Sequence, residues 1–163
     1  MKTALVISDT HGNTKVLQRL VDIARESDYV IFCGDGLRDL KTLPYDVQTK
    51  VIAVSGNCDF SYDKNEKEKV LEIENNKILL THGDLYGVKC GLKELWERAK
   101  ELGCNLAIYG HTHEAREDVI DGITLFCPGT IQKYTTEKSY GYIVFFDGKT
   151  ITKIVSNEIL NDY

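Results

Sequence analysis

The sequence predicts an α/β fold in which two packed β-sheets are flanked by helices. Three observations carry this. The first two thirds alternate short apolar, β-rich runs with stretches of helical spacing. The last third turns to paired strands around Asp-Gly turns. The 163 residues suffice for a single domain, residues 1–163, with a sizeable core.

Residues 3–8 (TALVIS), 29–33 (YVIFC), 50–55 (KVIAVS) and 77–81 (KILLT) read as strands, and their near-continuous apolar character suits burial on both faces. Between the first two, residues 13–27 place Val16, Leu17, Leu20, Val21 and Ala24 at helical spacing, with Asn13 as the N-cap. Residues 91–103 repeat the pattern through Leu92, Leu95, Trp96, Ala99 and Leu102, and Gly103 suits the C-terminal stop. These stripes are core, and Trp96 is given no functional role. Residues 106–109 form a further short strand. Hairpins follow around Asp121-Gly122 and Asp147-Gly148. The mixed-sign run DKNEKEK at 63–69 reads as a solvated loop.

Composition narrows the function. The formal net charge is −5, and no Lys/Arg cluster interleaves with aromatics, which argues against stable binding of nucleic-acid polymers. No run approaches the roughly 18 apolar residues of a membrane span. The opening MKTALVISDTHG is too short an apolar run for a signal peptide, so a cytoplasmic protein is expected. The five cysteines include no CxxC pair, which speaks against a disulfide framework or a thiolate zinc site.

The chemistry gathers where strands end. TALVIS runs into Asp9-Thr10-His11-Gly12, YVIFC into Gly34-Asp35-Gly36, KVIAVS into Gly56-Asn57-Cys58-Asp59, KILLT into His82-Gly83-Asp84, and NLAIY into Gly110-His111-Thr112-His113. Each strand delivers an oxygen or imidazole donor with a glycine beside it. All four histidines fall in this set. Singly, each piece is also a common turn. Together, Asp9, His11, Asp35, Asn57, His82, His111 and His113 are too many donors for one four-coordinate zinc, and they suit two metals sharing a carboxylate. Nitrogen and oxygen donors without thiolate favour two divalent ions of the Mn, Zn, Fe, Ni or Co type, with Mn first.

These five motifs, in this order from residue 3 to about residue 155, resemble the calcineurin-like metallophosphoesterase superfamily, whose pattern is DxH, GD, GN(H or C)(D or E), a single His, then GHxH. The short chain and its GNCD form are similar to the compact bacterial and archaeal phosphodiesterases of that superfamily. The resemblance implies a four-layer α/β/β/α sandwich of two mixed sheets, the metallophosphoesterase fold. It implies one metal held by Asp9, His11 and His113, a second by Asn57, His82 and His111, and Asp35 bridging them. It implies hydrolysis of a small phosphodiester by a metal-bridging hydroxide attacking phosphorus. Two alternatives remain within hydrolases: a phosphomonoesterase, or a nucleotide or dinucleoside-polyphosphate hydrolase. A third is a Vps29-like protein-binding scaffold. Relatives of this kind often self-associate, which leaves a homo-oligomer open.

The chain departs from the pattern at two places. Cys58 stands where many members carry a proton-donating His. It is a weak acid, a bystander or, preferred here, a steric filler, so good leaving groups are favoured. The loop CPGT (127–130) replaces an NPGS-like turn, removing a carboxamide and leaving Gly129 and Thr130 to line the cleft. Asp59 is expected to position a ligand. Phe60 and Tyr62 either stack on a substrate ring or, preferred here, belong to an exposed loop. Arg38 either meets a phosphate or begins a surface helix.

Overall fold

The computed structural model describes residues 1–60 and 66–161. Its strands form two five-stranded mixed sheets. In the first, β1 (Lys2–Ile7), β2 (Tyr29–Phe32) and β3 (Val51–Ala53) run parallel, and β9 (Tyr140–Phe146) and β10 (Lys149–Val155) continue the sheet antiparallel in the order β10-β9-β1-β2-β3. In the second, β5 (Asn76–Thr81), β6 (Leu106–Ile108) and β8 (Ile123–Cys127) are parallel, with β4 (Glu68–Ile73) and β7 (Arg116–Ile120) as antiparallel edges.

Alternation along the strands sorts the apolar residues into three packed layers. Leu5 and Ile7 of β1 face Val16, Leu17, Leu20 and Ala24 of the N-terminal helices. Ala4 and Val6 point the other way, into the seam between the sheets with Ile31, Ile78, Leu80, Ile108, Phe126 and Phe145. Leu79, Ala107 and Leu125 face outward from the second sheet onto Leu95 and Ala99 of a helix. Three cores between four layers give the expected α/β/β/α sandwich. They also explain the unbroken apolar strands, since both faces are covered.

The first helical stretch is divided. α1 (Thr14–Arg19) and α2 (Val21–Glu26) meet at Leu20. Asn13 caps the start, its side-chain oxygen accepting from the Val16 N–H at 3.4 Å. A short α3 (Tyr45–Gln48) precedes β3. α4 (Lys93–Glu101) stops at Gly103, where φ is +70° and the following Cys104 N–H turns back to the Ala99 carbonyl at 2.9 Å. Trp96 donates its indole N–H to the Ile120 carbonyl at 3.1 Å, a structural contact. Both Asp-Gly turns lie where expected, and all four residues have positive φ as a type I′ turn requires.

The run 63–69 departs from expectation at its end. Glu68 and Lys69 begin β4 rather than continuing a loop, and residues 63–65 lie outside the described residues, as does Tyr62. This edge strand is held by more than its ladder. Glu68 takes two hydrogen bonds from the Arg98 guanidinium, at 3.1 and 2.9 Å, and one from the Tyr86 hydroxyl at 2.5 Å. Arg98 therefore ties α4 to the sheet edge and holds the Glu68 carboxyl below its ordinary value. Arg98→Ala is expected to lower stability by about 1–2 kcal/mol in urea unfolding at neutral pH. A carboxyl with a depressed folded pKa stabilises above its unfolded value. The difference between the two proteins therefore shrinks as pH falls below the ordinary glutamate value of 4.5.

Candidate metal centre

The carboxyl ends of β1, β2 and β3 lie side by side in one sheet, and those of β5 and β6 lie side by side in the other. The two sets face one another across the seam. Asp9 and His11 leave the end of β1, Asp35 the end of β2 and Asn57 the end of β3. His82 follows β5 directly, and His111 and His113 follow β6. All seven residues singled out in the sequence are brought into this cluster.

The backbone is bent sharply to present them. Asp9, His11, Asp35, His111 and His113 have φ of +52°, +40°, +61°, +71° and +62°. Left-handed backbone at a non-glycine residue costs energy, and such residues gather at functional sites. Neighbouring glycines admit the close approach. A Cβ on Gly56 would sit 2.1 Å from Asp35 Oδ1, and one on Gly110 would sit 2.0 Å from Ser8 Oγ.

Donor atoms then meet at short range. Asp9 Oδ1 lies 3.1 Å from His113 Nε2 and 3.4 Å from His11 Nε2, and the two imidazole nitrogens are 3.3 Å apart. Across the cluster, His82 Nε2 lies 3.0 Å from Asn57 Oδ1, 3.2 Å from His111 Nδ1 and 3.2 Å from Asp35 Oδ2. Asp35 Oδ2 is also 3.6 Å from His11 Nε2, so one carboxylate oxygen faces both groups.

The donor set suits cations. His82 Nδ1 donates to the Cys33 carbonyl at 2.7 Å, which turns the lone pair on Nε2 towards the cluster. Both close imidazole pairs put nitrogen against nitrogen. Bonds of about 2.0–2.1 Å place tetrahedral ligands roughly 3.3 Å apart, so these separations fit neighbours around one ion. Burial pushes the Asp9 carboxyl up, but its hydrogen bonds with His11 and His113 outweigh that and hold it well below the usual range. Burial likewise opposes ionisation of Asp35, and the His82 imidazole and the Cys58 N–H outweigh it. Both carboxylates are therefore anionic at neutral pH.

A ring of further residues holds the donors. Asp59 accepts from the N–H groups of Asp35 at 2.7 Å, Gly36 at 3.0 Å, Leu37 at 3.1 Å and Gly56 at 2.9 Å, pinning the β2 loop to the β3 loop. The expected positioning role thus falls on backbone rather than on a ligand side chain. Asp39 accepts from the Thr10 hydroxyl and from the Gly12 N–H. Thr130 donates its hydroxyl to the Asp9 carbonyl at 2.7 Å. Gln132 places its amide 2.9 Å from His113 Nδ1. Neither Asp39 nor Gln132 stands out in the sequence. Cys127 is buried, its sulfur 3.6 Å from the Thr112 hydroxyl. Cys58 is exposed beside His11 and Asp35.

The profile of the calcineurin-like phosphoesterase superfamily domain matches residues 1–149. The chain belongs to that superfamily. A probable metallophosphoesterase of Bacillus subtilis, YsnB, is 36% identical over 141 residues, 86% of this chain and 81% of its own. The phosphodiesterase YfcE of Escherichia coli is 28% identical over 185 aligned positions, spanning 97% of this chain and 94% of its own. A single-residue variant of Vps29 of Entamoeba histolytica superposes with a TM-score of 0.72 at 22% identity, covering 96% of this chain and 99% of its own. That last likeness concerns the fold alone. This calcineurin-like phosphoesterase is accordingly a metal-dependent phosphoester hydrolase. None of its described helices is long and apolar enough to cross a membrane.

Proposed function

We propose that this phosphoesterase is a dinuclear phosphodiesterase acting on small phosphodiesters, with manganese the first candidate for both ions and zinc, iron, nickel or cobalt as alternatives. The observation that carries the dinuclear reading is Asp35 Oδ2, which faces His11 of one donor group and His82 of the other. Asp9, His11 and His113 would hold one ion. Asn57, His82 and His111 would hold the second, with Asp35 shared. When bound, two divalent ions supply the positive charge that makes water acidic near neutral pH and that offsets charge on phosphoryl oxygens. The residues of the chain do the positioning. Asp9 and Asp35 bring negative charge to a site that must attract cations. Asn57 turns its amide oxygen to the cluster, with its nitrogen 3.5 Å from Cys58 Sγ.

Diester preference is supported by the phosphodiesterase relative, and a preference for good leaving groups by the lack of an imidazole at position 58. Burial and the nearby Asp35 push the Cys58 thiol up, away from easy proton donation. We read Cys58 as a filler, so Cys58→Ser is expected to keep the rate within about threefold. A loss as large as that from an altered donor residue would make Cys58 a participant. Seven convergent donors, five of them on left-handed backbone, weigh for catalysis over a Vps29-like scaffold.

The deciding experiment is a paired assay. The protein is stripped with chelator, reloaded with Mn²⁺, and given bis(nitrophenyl) phosphate and nitrophenyl phosphate. Metal-dependent turnover that favours the diester is expected. Preference for the monoester would move the assignment to a phosphomonoesterase, and two bound ions without turnover on either would favour the scaffold.

A further inference from the structure

Beside the donor cluster lies a bay of about 440 Å³, lined by Leu37, Arg38, Lys41, Cys58, Asp59 and Phe60. An adjoining hollow of about 360 Å³ shares Arg38, Cys58 and Asp59 with it and also carries His11 and Asp35. A molecule whose phosphorus sat at the donors would therefore extend one substituent into the bay.

The bay is a local exception in an acidic chain of net charge −5. Arg38 precedes a 3-10 helix, Asp39–Thr42, that contains Lys41. Side chains three apart eclipse one another in that geometry, so the two cations stand on one side of it. Both are exposed, and neither forms an ion pair among the described residues. The neighbouring acids are engaged elsewhere. Asp59 takes its four backbone N–H groups, and Asp39 takes the Thr10 hydroxyl and the Gly12 N–H. The two positive charges are thus left to solvent at the mouth of a site for phosphate esters. Phe60 adds an aromatic face that is 85% exposed. Arginine and lysine recognise phosphate, and an aromatic ring stacks on a base.

We infer that this bay binds a nucleotide as one substituent of the scissile phosphorus, with a second phosphate held by Arg38 and Lys41 and the base against Phe60. The inference rests on the phosphoesterase reading and names its substrate class. The phosphorus still carries two substituents, as in a diester. Water adds to it, the bond to the bridging oxygen breaks, and the nucleotide departs with that oxygen and its electron pair. One proton of the water goes to solvent or to the departing phosphate. A phosphate leaves more readily than an alkoxide, which agrees with the lack of a histidine at position 58.

The test compares substrates that differ by the second phosphate. Diadenosine diphosphate and adenylyl-adenosine, which has one phosphate between the same two nucleosides, are given to the Mn²⁺-loaded enzyme together with bis(nitrophenyl) phosphate. The wild type is expected to prefer diadenosine diphosphate over adenylyl-adenosine by about tenfold in kcat/KM. The leaving phosphate adds to that preference by itself, so the bay is read from the Arg38→Ala/Lys41→Ala double variant. That variant is expected to raise KM for diadenosine diphosphate about tenfold and to leave adenylyl-adenosine and bis(nitrophenyl) phosphate within about twofold. Turnover of bis(nitrophenyl) phosphate with no preference for the second phosphate would overturn the bay assignment and leave the phosphodiesterase reading standing. A proportionate loss on all three substrates in the double variant would overturn it too, because the cations would then not be reading the second phosphate. Failure to hydrolyse any of the three would overturn both readings.

Discussion

Asp35→Asn should lower the Mn²⁺-supported rate on bis(nitrophenyl) phosphate by about a thousandfold or more, with the fold intact. The two carboxylate oxygens of Asp35 have different duties. Oδ1 accepts the Cys58 N–H at 2.8 Å, and Oδ2 faces His11 and His82. An asparagine would keep its oxygen on the Cys58 N–H, because its amide nitrogen cannot accept there. The NH₂ group would then replace Oδ2, pointing hydrogens where the two proposed ions would need a lone pair. It would also remove one of the two negative charges that draw cations to the site. The measurement is kcat at saturating metal, with metal content and circular dichroism on the same sample. Retention of the rate within about tenfold would show that Asp35 is not shared between ions.

The second large effect is on stability. Asp59→Ala should cost about 3–5 kcal/mol in urea unfolding, because four backbone N–H groups lose a charged acceptor at once. These are the N–H groups of Asp35, Gly36, Leu37 and Gly56. The same carboxylate holds the loop carrying Asp35 against the loop carrying Asn57, so the rate should fall with the stability. Asp59→Asn, which keeps one accepting oxygen, should lie between. A stability loss below about 1 kcal/mol in the alanine variant would mean that water or another group satisfies these donors in its place.

Much of this site is legible in the sequence for a physical reason. A metal-ligating group must be one of a few residue types, and a parallel strand delivers it at its carboxyl end. Asp9-Thr10-His11 and Gly110-His111-Thr112-His113 therefore stand out beside buried strands. The supporting residues leave no such trace. Gln132 reaches His113 across 19 positions, and Asp39 reaches Thr10 across 29. Nothing local distinguishes them from surface polar residues. The fold shows the same division. The helix stripes and both Asp-Gly hairpins follow from periodicity and turn chemistry. β4 does not, because an edge strand with Lys69, Val70 and Glu72 exposed lacks the apolar alternation of a half-buried one. Its turn carries Glu74 and Asn75, both at positive φ, where glycine would have been the clearer sign.

The placement of the donors across the seam has a mechanical meaning. Asp9, His11, Asp35 and Asn57 belong to one sheet, and His82, His111 and His113 to the other. Each proposed ion would therefore be gripped from both sides, and it would act as a removable rivet between the sheets. Asp9 and His113 are 104 positions apart, so such a cross-link closes a long loop of chain. Catalytic competence and the cohesion of that end of the sandwich would then rise and fall together with metal supply. A cell short of metal would hold a protein that is looser as well as idle.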